Sequence, residues 1–388
     1  MQKVAYVAYS PLDLQSANSI QTFNTCRALA ARLGSELTVV VPRFGWREAP
    51  PPFRVVKLPR VPLNKISRWS KTALWSYLER SVYAWLAAVY LRFLRPDVVY
   101  VRDIICAYWL VALGVPVIYE VHDLESRHPS KMKGARLSRW LARVDDKTLR
   151  GARAVVSLTQ TFKDELVRWG WQPAERVFVI PDAYDQAVYF PRPRAGARAA
   201  RTLSPDAIVI GYAGMTFAYR RLDLLLDALR LWNEPRAQAL IIGGRPTEVQ
   251  ELKHHAAELN LMGNITWCGR EPAESTAGDL SAADILVIPD TVTDATASPL
   301  KMFEYMALGR AIVSVDRPAL REILGNGAAE FFHAGDAQDF ARVLQTLAQS
   351  QARRDALAAR ALECAQEYTY TRRADKIIAA CEATNMRH

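Results

Sequence analysis

The sequence predicts an α/β protein of two domains, each built on a doubly wound parallel sheet. Three observations predict it. Short runs of Val, Ile, Ala and Tyr recur along the chain, separated by longer stretches with helical spacing. The runs are continuously apolar rather than alternating, as strands buried on both faces require. The length, 388 residues, exceeds one ordinary core and suits two domains of about 150–200 residues each. Strand–helix alternation throughout is the signature of the α/β class.

In the first half the expected strands are Val4–Tyr9, Leu37–Val41, Val55–Leu58, Val98–Val101, Val115–Val121, Ala154–Thr159 and Val177–Ile180. In the second they are Ile208–Tyr212, Ala239–Ile242, Ile265–Cys268, Ile285–Ile288, Ala311–Ser314 and Ala329–Phe332. The longest apolar stretch, Ile104 to Tyr119, is interrupted by Gly114 and Pro116. It falls short of the roughly 20 residues that span a bilayer, and parses as a buried helix followed by a buried strand. The start, Met1 to Val7, reads as a first strand and lacks a signal-peptide pattern. Between the two series, Phe190 to Arg198 is rich in Pro, Arg and small residues and reads as a linker. The expected division is 1–190, a linker at 191–200, a second domain at 201–365, and a terminal segment at 366–388.

Half the residues are hydrophobic and 23% are charged, a globular rather than a disordered composition. Cysteines 26, 106, 268, 364 and 381 show no C-x-x-C spacing, so they read as thiols in a reducing cytosol, with neither a disulfide frame nor a zinc site. A net charge of +10 asks for an anionic partner: nucleic acid, an anionic membrane or a phosphorylated substrate. No RNA- or DNA-binding motif is present, so nucleic acid is not expected.

The most informative segment runs from Ala297 to Arg310, Ala-Ser-Pro-Leu-Lys-Met-Phe-Glu-Tyr-Met-Ala-Leu-Gly-Arg. Ser298 suits an N-cap, Pro299 the first helical position, and Gly309 the position just past the end, giving a helix of about ten residues. Its N-terminus, with Ser298, Pro299, Leu300 and Lys301, offers free N–H groups and a positive dipole end to a diphosphate. A lysine in that first turn is unfavourable for the helix alone, so Lys301 points to an anion. Glu304 follows on the same face, where a carboxylate can accept from ribose hydroxyls. A capped surface helix with a Lys301–Glu304 pair accounts for the same residues without a ligand.

This segment resembles the donor-binding signature, E-x7-E, of glycosyltransferase family 4. The resemblance implies the GT-B architecture: two facing Rossmann-like doubly wound domains with an interdomain cleft. It further implies a retaining transfer from a nucleoside diphosphate sugar, with Glu304 as the second glutamate. The first glutamate falls at Thr296, a departure that leaves the donor sugar open. Open α/β sheets bind ligands beyond the carboxyl ends of their strands.

The segment Ile210 to Leu226 reads as a strand, a glycine turn at Gly214 and a helix. It resembles the family's first strand-to-helix turn, with Arg220 matching a diphosphate-binding lysine, Met215 replacing an arginine and Arg221 a glycine. A solvated Arg220–Arg221 pair is the plainer account. Tyr119-Glu120-Val121-His122-Asp123 ends a buried strand, and the resemblance implies that His122 faces the donor sugar. The loop Ser10 to Ser19 leads to a helix start expected at Ile20; Ala17, Asn18 and Ser19 serve either an acceptor or loop capping. Ile180 to Asp185 and Glu367 to Ala374 also match the family pattern, the latter implying last helices that return to the first domain.

No Asp-x-Asp stands in a metal-binding context, so neither metal nor cofactor is expected beyond the nucleotide sugar as co-substrate. Residues 60–95 combine Arg60, Lys65, Arg68, Lys71, Arg80, Arg92 and Arg95 with Trp69, Trp75, Tyr77, Tyr83, Trp85 and Phe93. Such a stretch either lies on an anionic membrane or packs as helices on the sheet. The acceptor is expected to be a hydroxyl on a sugar, lipid-linked sugar or small metabolite. The expected location is cytoplasmic, with peripheral contact at the inner face of the plasma membrane. Two rival readings remain: a nucleotide-sugar-binding protein of weak or no turnover, and an enzyme similar to UDP-sugar 2-epimerases.

Overall fold

The computed structural model describes residues 2–13, 16–45, 50–61, 73–126, 135–291 and 293–385. The chain forms two compact units, Met1–Pro181 with Tyr370–His388, and Asp182–Thr369. Each is an α/β unit on an all-parallel sheet.

In the first unit the strands are β1 (Val4–Val7), β2 (Leu37–Pro42), β3 (Val55–Leu58), β4 (Val98–Val101), β5 (Val117–Val121), β6 (Ala154–Ser157) and β7 (Val177–Val179). Their order is β3-β2-β1-β4-β5-β6-β7. The helices are α1 (Ala17–Leu33), α2 (Ala73–Leu94), α3 (Ile104–Ala112), α4 (Ala135–Gly151) and α5 (Gln160–Arg168). The chain moves one way from β1 to β3 and the other way from β3 through β7. Right-handed crossovers then place α1 on one face and α2 to α5 on the opposite face. The reversal between β1 and β4 is a topological switch point, where α/β sheets gather functional groups.

The second unit repeats this logic. Its strands are β8 (Ile208–Gly214), β9 (Ala237–Gly243), β10 (Ile265–Gly269), β11 (Ile285–Ile288), β12 (Ala311–Val315) and β13 (Glu330–Phe332), in the order β10-β9-β8-β11-β12-β13. The helices are α6 (Arg194–Ala200), α7 (Leu222–Trp232), α8 (Pro246–Glu258), α9 (Ala273–Leu280), α10 (Leu300–Ala307), α11 (Pro318–Leu324), α12 (Ala337–Ala348) and α13 (Gln351–Ala365). The switch point lies between β8 and β11. The last helix, α14 (Tyr370–Asn385), rejoins the first unit and packs on α1. There Ala374, Ile377, Ala380 and Cys381 close the core over Val4, Tyr6, Val39 and Val98.

The expected strands are all present, and the stretch from Ile104 divides into α3 and β5 as its Gly114 and Pro116 suggest. Two local expectations change. Residues 191–200 are no bare linker: they carry α6, whose Arg194 and Arg198 pair with Asp284 inside the second unit. The first helix starts at Ala17 rather than Ile20, because Ser16 and Ser19 form a capping box that satisfies the first-turn donors. The five cysteines are free, and among the described residues no helix is long and apolar enough to cross a membrane.

Candidate functional site

The carboxyl end of the second sheet is shaped by glycines. Gly214 (φ +133°) and Gly243 (φ +102°) stand opposite each other in β8 and β9. A Cβ on Gly243 would lie 2.4 Å from the Gly214 carbonyl oxygen, and one on Gly214 would lie 2.8 Å from Lys301 Nζ. Only glycine allows the two strand ends and the lysine to approach this closely. The loop leaving β8 is pinned: the Ala213 N–H donates to the Tyr305 hydroxyl (2.8 Å), and the Tyr212 hydroxyl donates to the Met215 carbonyl (2.6 Å). The Thr216 hydroxyl donates to Glu248 (3.0 Å).

Into this end projects Lys301, from the first turn of α10. It is buried, and its ammonium lies 3.7 Å from the centre of the Tyr212 ring. Burial, and then the nearby Arg220 guanidinium, push its pKa well below the usual lysine value, with Glu304 opposing. Arg220 packs on Tyr219, and its Nε is buried without a hydrogen-bond partner. Two cations therefore converge at one strand end with little compensating charge, an arrangement that a bound anion would complete. Glu304, one turn further along α10, is half-buried; desolvation raises its carboxyl to about 7, against a hydrogen bond with Tyr189 and the charge of Lys301.

That shift has a checkable consequence. A carboxyl whose folded pKa is raised contributes stability that is full below its unfolded value and is lost as pH rises through about 7. Glu304→Gln is therefore expected to raise the melting temperature at about pH 8 and to lose that advantage near about pH 5. A gain independent of pH in thermal unfolding would show that the carboxyl is not desolvated.

Ser298, expected from the sequence to cap α10, does not. Pro299 occupies the cap position without a side-chain hydrogen bond, and the Ser298 hydroxyl accepts from the Asp182 N–H (3.3 Å). The helix is eight residues long rather than about ten, and Gly309 follows it at φ +59°. Its first turn is thus left without a side-chain acceptor, which favours an external anion there more strongly than a capped start. Thr296 shares a hydroxyl hydrogen bond with Thr293 (2.5 Å). The nearest loop carboxylates, Asp290 and Asp294, are engaged by Arg317, so neither takes the place of a glutamate at 296. Arg221 holds a left-handed backbone (φ 51°, ψ 45°) at the start of α7, the conformation that a glycine would adopt more cheaply.

Two cations escaped sequence reasoning. Arg245 and Arg270 follow β9 and β10 and are exposed at the same sheet end. Arg270 reaches the Met215 sulfur (3.5 Å), so an arginine returns near the position where Met215 stands. The signal was present: each follows a strand-end glycine, Gly244 or Gly269.

In the first unit, His122 follows β5 and is bound into a charged network. Its Nε2 lies 2.9 Å from Glu120 Oε1 and 3.0 Å from an Arg102 terminal nitrogen. Glu120 is fully buried and also binds Arg102 Nε (3.0 Å), Tyr100 and Arg373 of α14. Burial alone would raise the Glu120 carboxyl, but Arg373 and Arg102, with His122, hold it well below the usual carboxylate range. Ala17 and Asn18 open α1 as exposed first-turn residues, whereas Ser19 is buried in its capping box. The acceptor-loop reading therefore loses Ser19, whose hydroxyl is occupied by Ser16.

One group among the described residues has metal-ligand spacing, Cys268, Glu271 and Asp279, with ligand atoms within 4.8 Å of one another. Arg201 pairs with both carboxylates, and burial raises the Cys268 thiol to about 11, so the arrangement reads as an ion-paired tie between α6 and α9.

Known proteins give this geometry a context. The profile described as Glycosyltransferase Family 4 matches residues 19–188, and that described as Glycosyl transferases group 1 matches residues 207–350. A D-inositol 3-phosphate glycosyltransferase of Stackebrandtia nassauensis is 27% identical over 292 residues, 71% of this chain and 65% of the relative. One from Rhodococcus jostii is 24% identical over 279 residues, 68% of this chain and 60% of the relative. The chain thus spans less than two thirds of the length of these relatives. Among solved structures, sucrose-phosphate synthase from Thermosynechococcus elongatus superposes with a TM-score of 0.80 at 18% identity, covering 98% of each chain. Anabaena HepE in complex with UDP-glucose superposes at 0.73 and 16% identity, covering 98% of this chain and 99% of that one. These likenesses show the fold, the GT-B architecture of two Rossmann-like domains. With the two profiles together taking in most of its length, the chain belongs to glycosyltransferase family 4.

Proposed function

We propose that this protein transfers a sugar from a nucleoside diphosphate sugar to a hydroxyl acceptor, with retention of configuration. The observation that carries the reading is Lys301: a buried ammonium at a strand end, beside Gly214 and Arg220, with no full counter-charge. A diphosphate supplies that counter-charge. Lys301, Arg220, the loop at Gly214 and the uncapped turn at Pro299, Leu300 and Lys301 then stabilise the leaving group as negative charge develops on it. Glu304 accepts from the ribose hydroxyls, Ser298 and Thr296 border the donor loop, and His122 contacts the donor sugar. Ala17 and Asn18 serve the acceptor. These cations leave no step that requires a metal.

UDP is the first nucleotide to expect, since HepE was solved with UDP-glucose, and UDP-, GDP- and ADP-sugars are the donors to compare. The acceptor is a sugar, a lipid-linked sugar or a small polyol; relatives named for D-inositol 3-phosphate support the last. The setting is the cytoplasm, peripheral to the inner face of the plasma membrane. Calorimetric titration with UDP, GDP and ADP tests the site. One nucleotide is expected to bind at micromolar affinity and to weaken at least about tenfold in Arg220→Ala, the loss of one charge-assisted contact. If none binds and the variant matches wild type, the donor site is wrongly placed.

Thr296 favours a second reading, a protein that holds a nucleotide sugar and turns it over weakly. Sugar release to any acceptor from a donor panel at rates above solvent hydrolysis would dismiss it.

A further inference from the structure

The first unit carries an outer helix layer that is apolar on one helix and basic on another. Crossover handedness puts α2, α3 and α4 on the same face of the sheet. α3 packs against both neighbours, and the Tyr77 ring of α2 meets the Trp140 ring of α4 edge-on at 6.0 Å. The inner face of α2 is spent on the core: Tyr83, Ala84, Ala87, Ala88 and Leu91 are buried. Its outer face is not. Leu78, Val82, Trp85 and Phe93 recur at helical spacing and are exposed, Phe93 to 82%.

The exposed charges on α2, α3 and α4 are predominantly basic. Arg92 near the end of α2, and Arg136, Arg139, Arg143, Lys147 and Arg150 on α4, are all exposed. On α4 they recur three or four residues apart, a stripe along one face. The single exposed acid of these helices' described side chains is Asp146, which pairs with Arg150 (2.7 Å). The remaining acids, Glu79 and Asp145, are buried, Glu79 against Arg60. Between α3 and α4 a shallow hollow of about 640 Å³ is lined by Tyr108, Trp140, Arg143 and Lys147, with the Lys147 ammonium over the Tyr108 ring (5.1 Å).

We propose that this layer docks the protein onto an anionic phospholipid surface, with the apolar stripe of α2 entering the headgroup boundary and the basic stripe of α4 lying over the phosphates. A soluble partner protein would ask for shape and acidic side chains, whereas a bilayer asks only for exposed bulky apolar groups flanked by unpaired cations on one side. Both are present. The length of the α2 stripe, from Leu78 to Phe93, is about 22 Å at 1.5 Å per residue, long enough to seat a helix in the plane of the interface. The expected stretch at 60–95 gains definition here: Lys65, Arg68, Trp69 and Lys71 lie outside the described residues, Tyr77 and Tyr83 are buried, and only α2's outer face is free to dock. The proposal rests on the peripheral placement of the enzyme and is independent of its donor site.

Co-sedimentation tests it, using the full chain with phosphatidylcholine vesicles and with the same vesicles containing phosphatidylglycerol. Binding is expected only with phosphatidylglycerol, falling as salt rises. The double variants Trp85→Ser/Phe93→Ser and Arg139→Glu/Arg143→Glu are each expected to lower bound protein about tenfold or more. Nucleotide affinity, measured in parallel, is expected to stay at the wild-type value and reports that each variant is folded. Equal binding to both vesicle types overturns the proposal, as do variants that sediment like wild type. So does a concentration-dependent dimer, lost in Trp85→Ser/Phe93→Ser, without vesicle binding. Vesicle binding in a protein that takes up no nucleotide would sink the donor site and leave this surface standing.

Discussion

Lys301→Met is expected to stabilise the ligand-free protein by about 1–2 kcal/mol while weakening nucleoside diphosphate binding roughly a hundredfold. The two effects have one cause. The Lys301 ammonium has been taken out of water, sits beside Arg220, and is offset only by the Tyr212 ring and the more distant Glu304. A ring face returns about 2 kcal/mol to a desolvated cation, less than the several kcal/mol that burying an ion costs. Methionine keeps the length, fills the space beside Gly214 and retains a favourable sulfur–ring contact. The pH dependence follows from the sign of the shift. The folded pKa of Lys301 lies below its unfolded value, so between the two the unfolded chain binds more protons and stability rises with pH. The advantage of the variant in thermal unfolding is therefore expected to be larger near about pH 6 than near about pH 9.

A diphosphate reverses the balance by restoring the charge. At pH values above the lowered Lys301 pKa, nucleotide binding to the wild type is thus expected to draw a proton onto Lys301, seen as a binding enthalpy that depends on the ionisation enthalpy of the buffer. In Lys301→Met that component disappears. A variant less stable than wild type at every pH would mean that the ammonium is already compensated within the protein. The strand end would then have no call for an anion.

How much of this was legible in the sequence depends on how local each signal is. The thirteen strands show as short, mainly apolar runs, clearest in central strands such as β1, β4 and β11, where a strand buried on both faces is apolar at every position. Lys301 and Glu304 were legible as a lysine and a glutamate three apart near the start of a helix. Their electrostatics were not, since burial and the approach of Arg220 depend on the turn of the chain at Gly214. Ser298 misled: its residue type suits a cap, but the Asp182 N–H, 116 positions away, claims its hydroxyl. Ser19 was open between a ligand and loop capping, and its hydroxyl is used by Ser16 in the capping box. Arg194 and Arg198 gave the look of a loose linker, and only the approach of Asp284 makes them a helix docked on the sheet. Glu120 stood next to the residues singled out, but nothing local marks a strand glutamate as the partner of an arginine 253 positions away.

That glutamate is where the largest loss of stability is expected. Glu120→Ala should cost about 3–5 kcal/mol, because it leaves the guanidiniums of Arg373 and Arg102, 2% and 8% exposed, buried without their carboxylate. Arg373→Met should cost less. Glu120 keeps Arg102, Tyr100 and His122, and the groups orphaned are the Ile180 and Pro181 carbonyls that Arg373 also serves. The double variant should then be more stable than Glu120→Ala alone, since removing Arg373 also removes one of the stranded charges. Denaturant unfolding of the four proteins measures this coupling directly. The pH arm has the same sign as that of Lys301, since both folded-state pKa values lie below the unfolded ones and stability rises with pH. Glu120 is held below its unfolded pKa, so its contribution is present above the ordinary carboxylate range and is lost as pH falls through and below it. Glu120→Gln is accordingly expected to approach wild-type stability under acid conditions and to diverge from it at neutral pH. His122 shares the same carboxylate oxygen, so its ring loses one of its two anchors in either Glu120 variant, leaving Arg102. If Glu120→Ala costs less than about 1 kcal/mol, the charges have found water or other partners. The tie from α14 to the end of β5 would then not be what holds the last helix on the first unit.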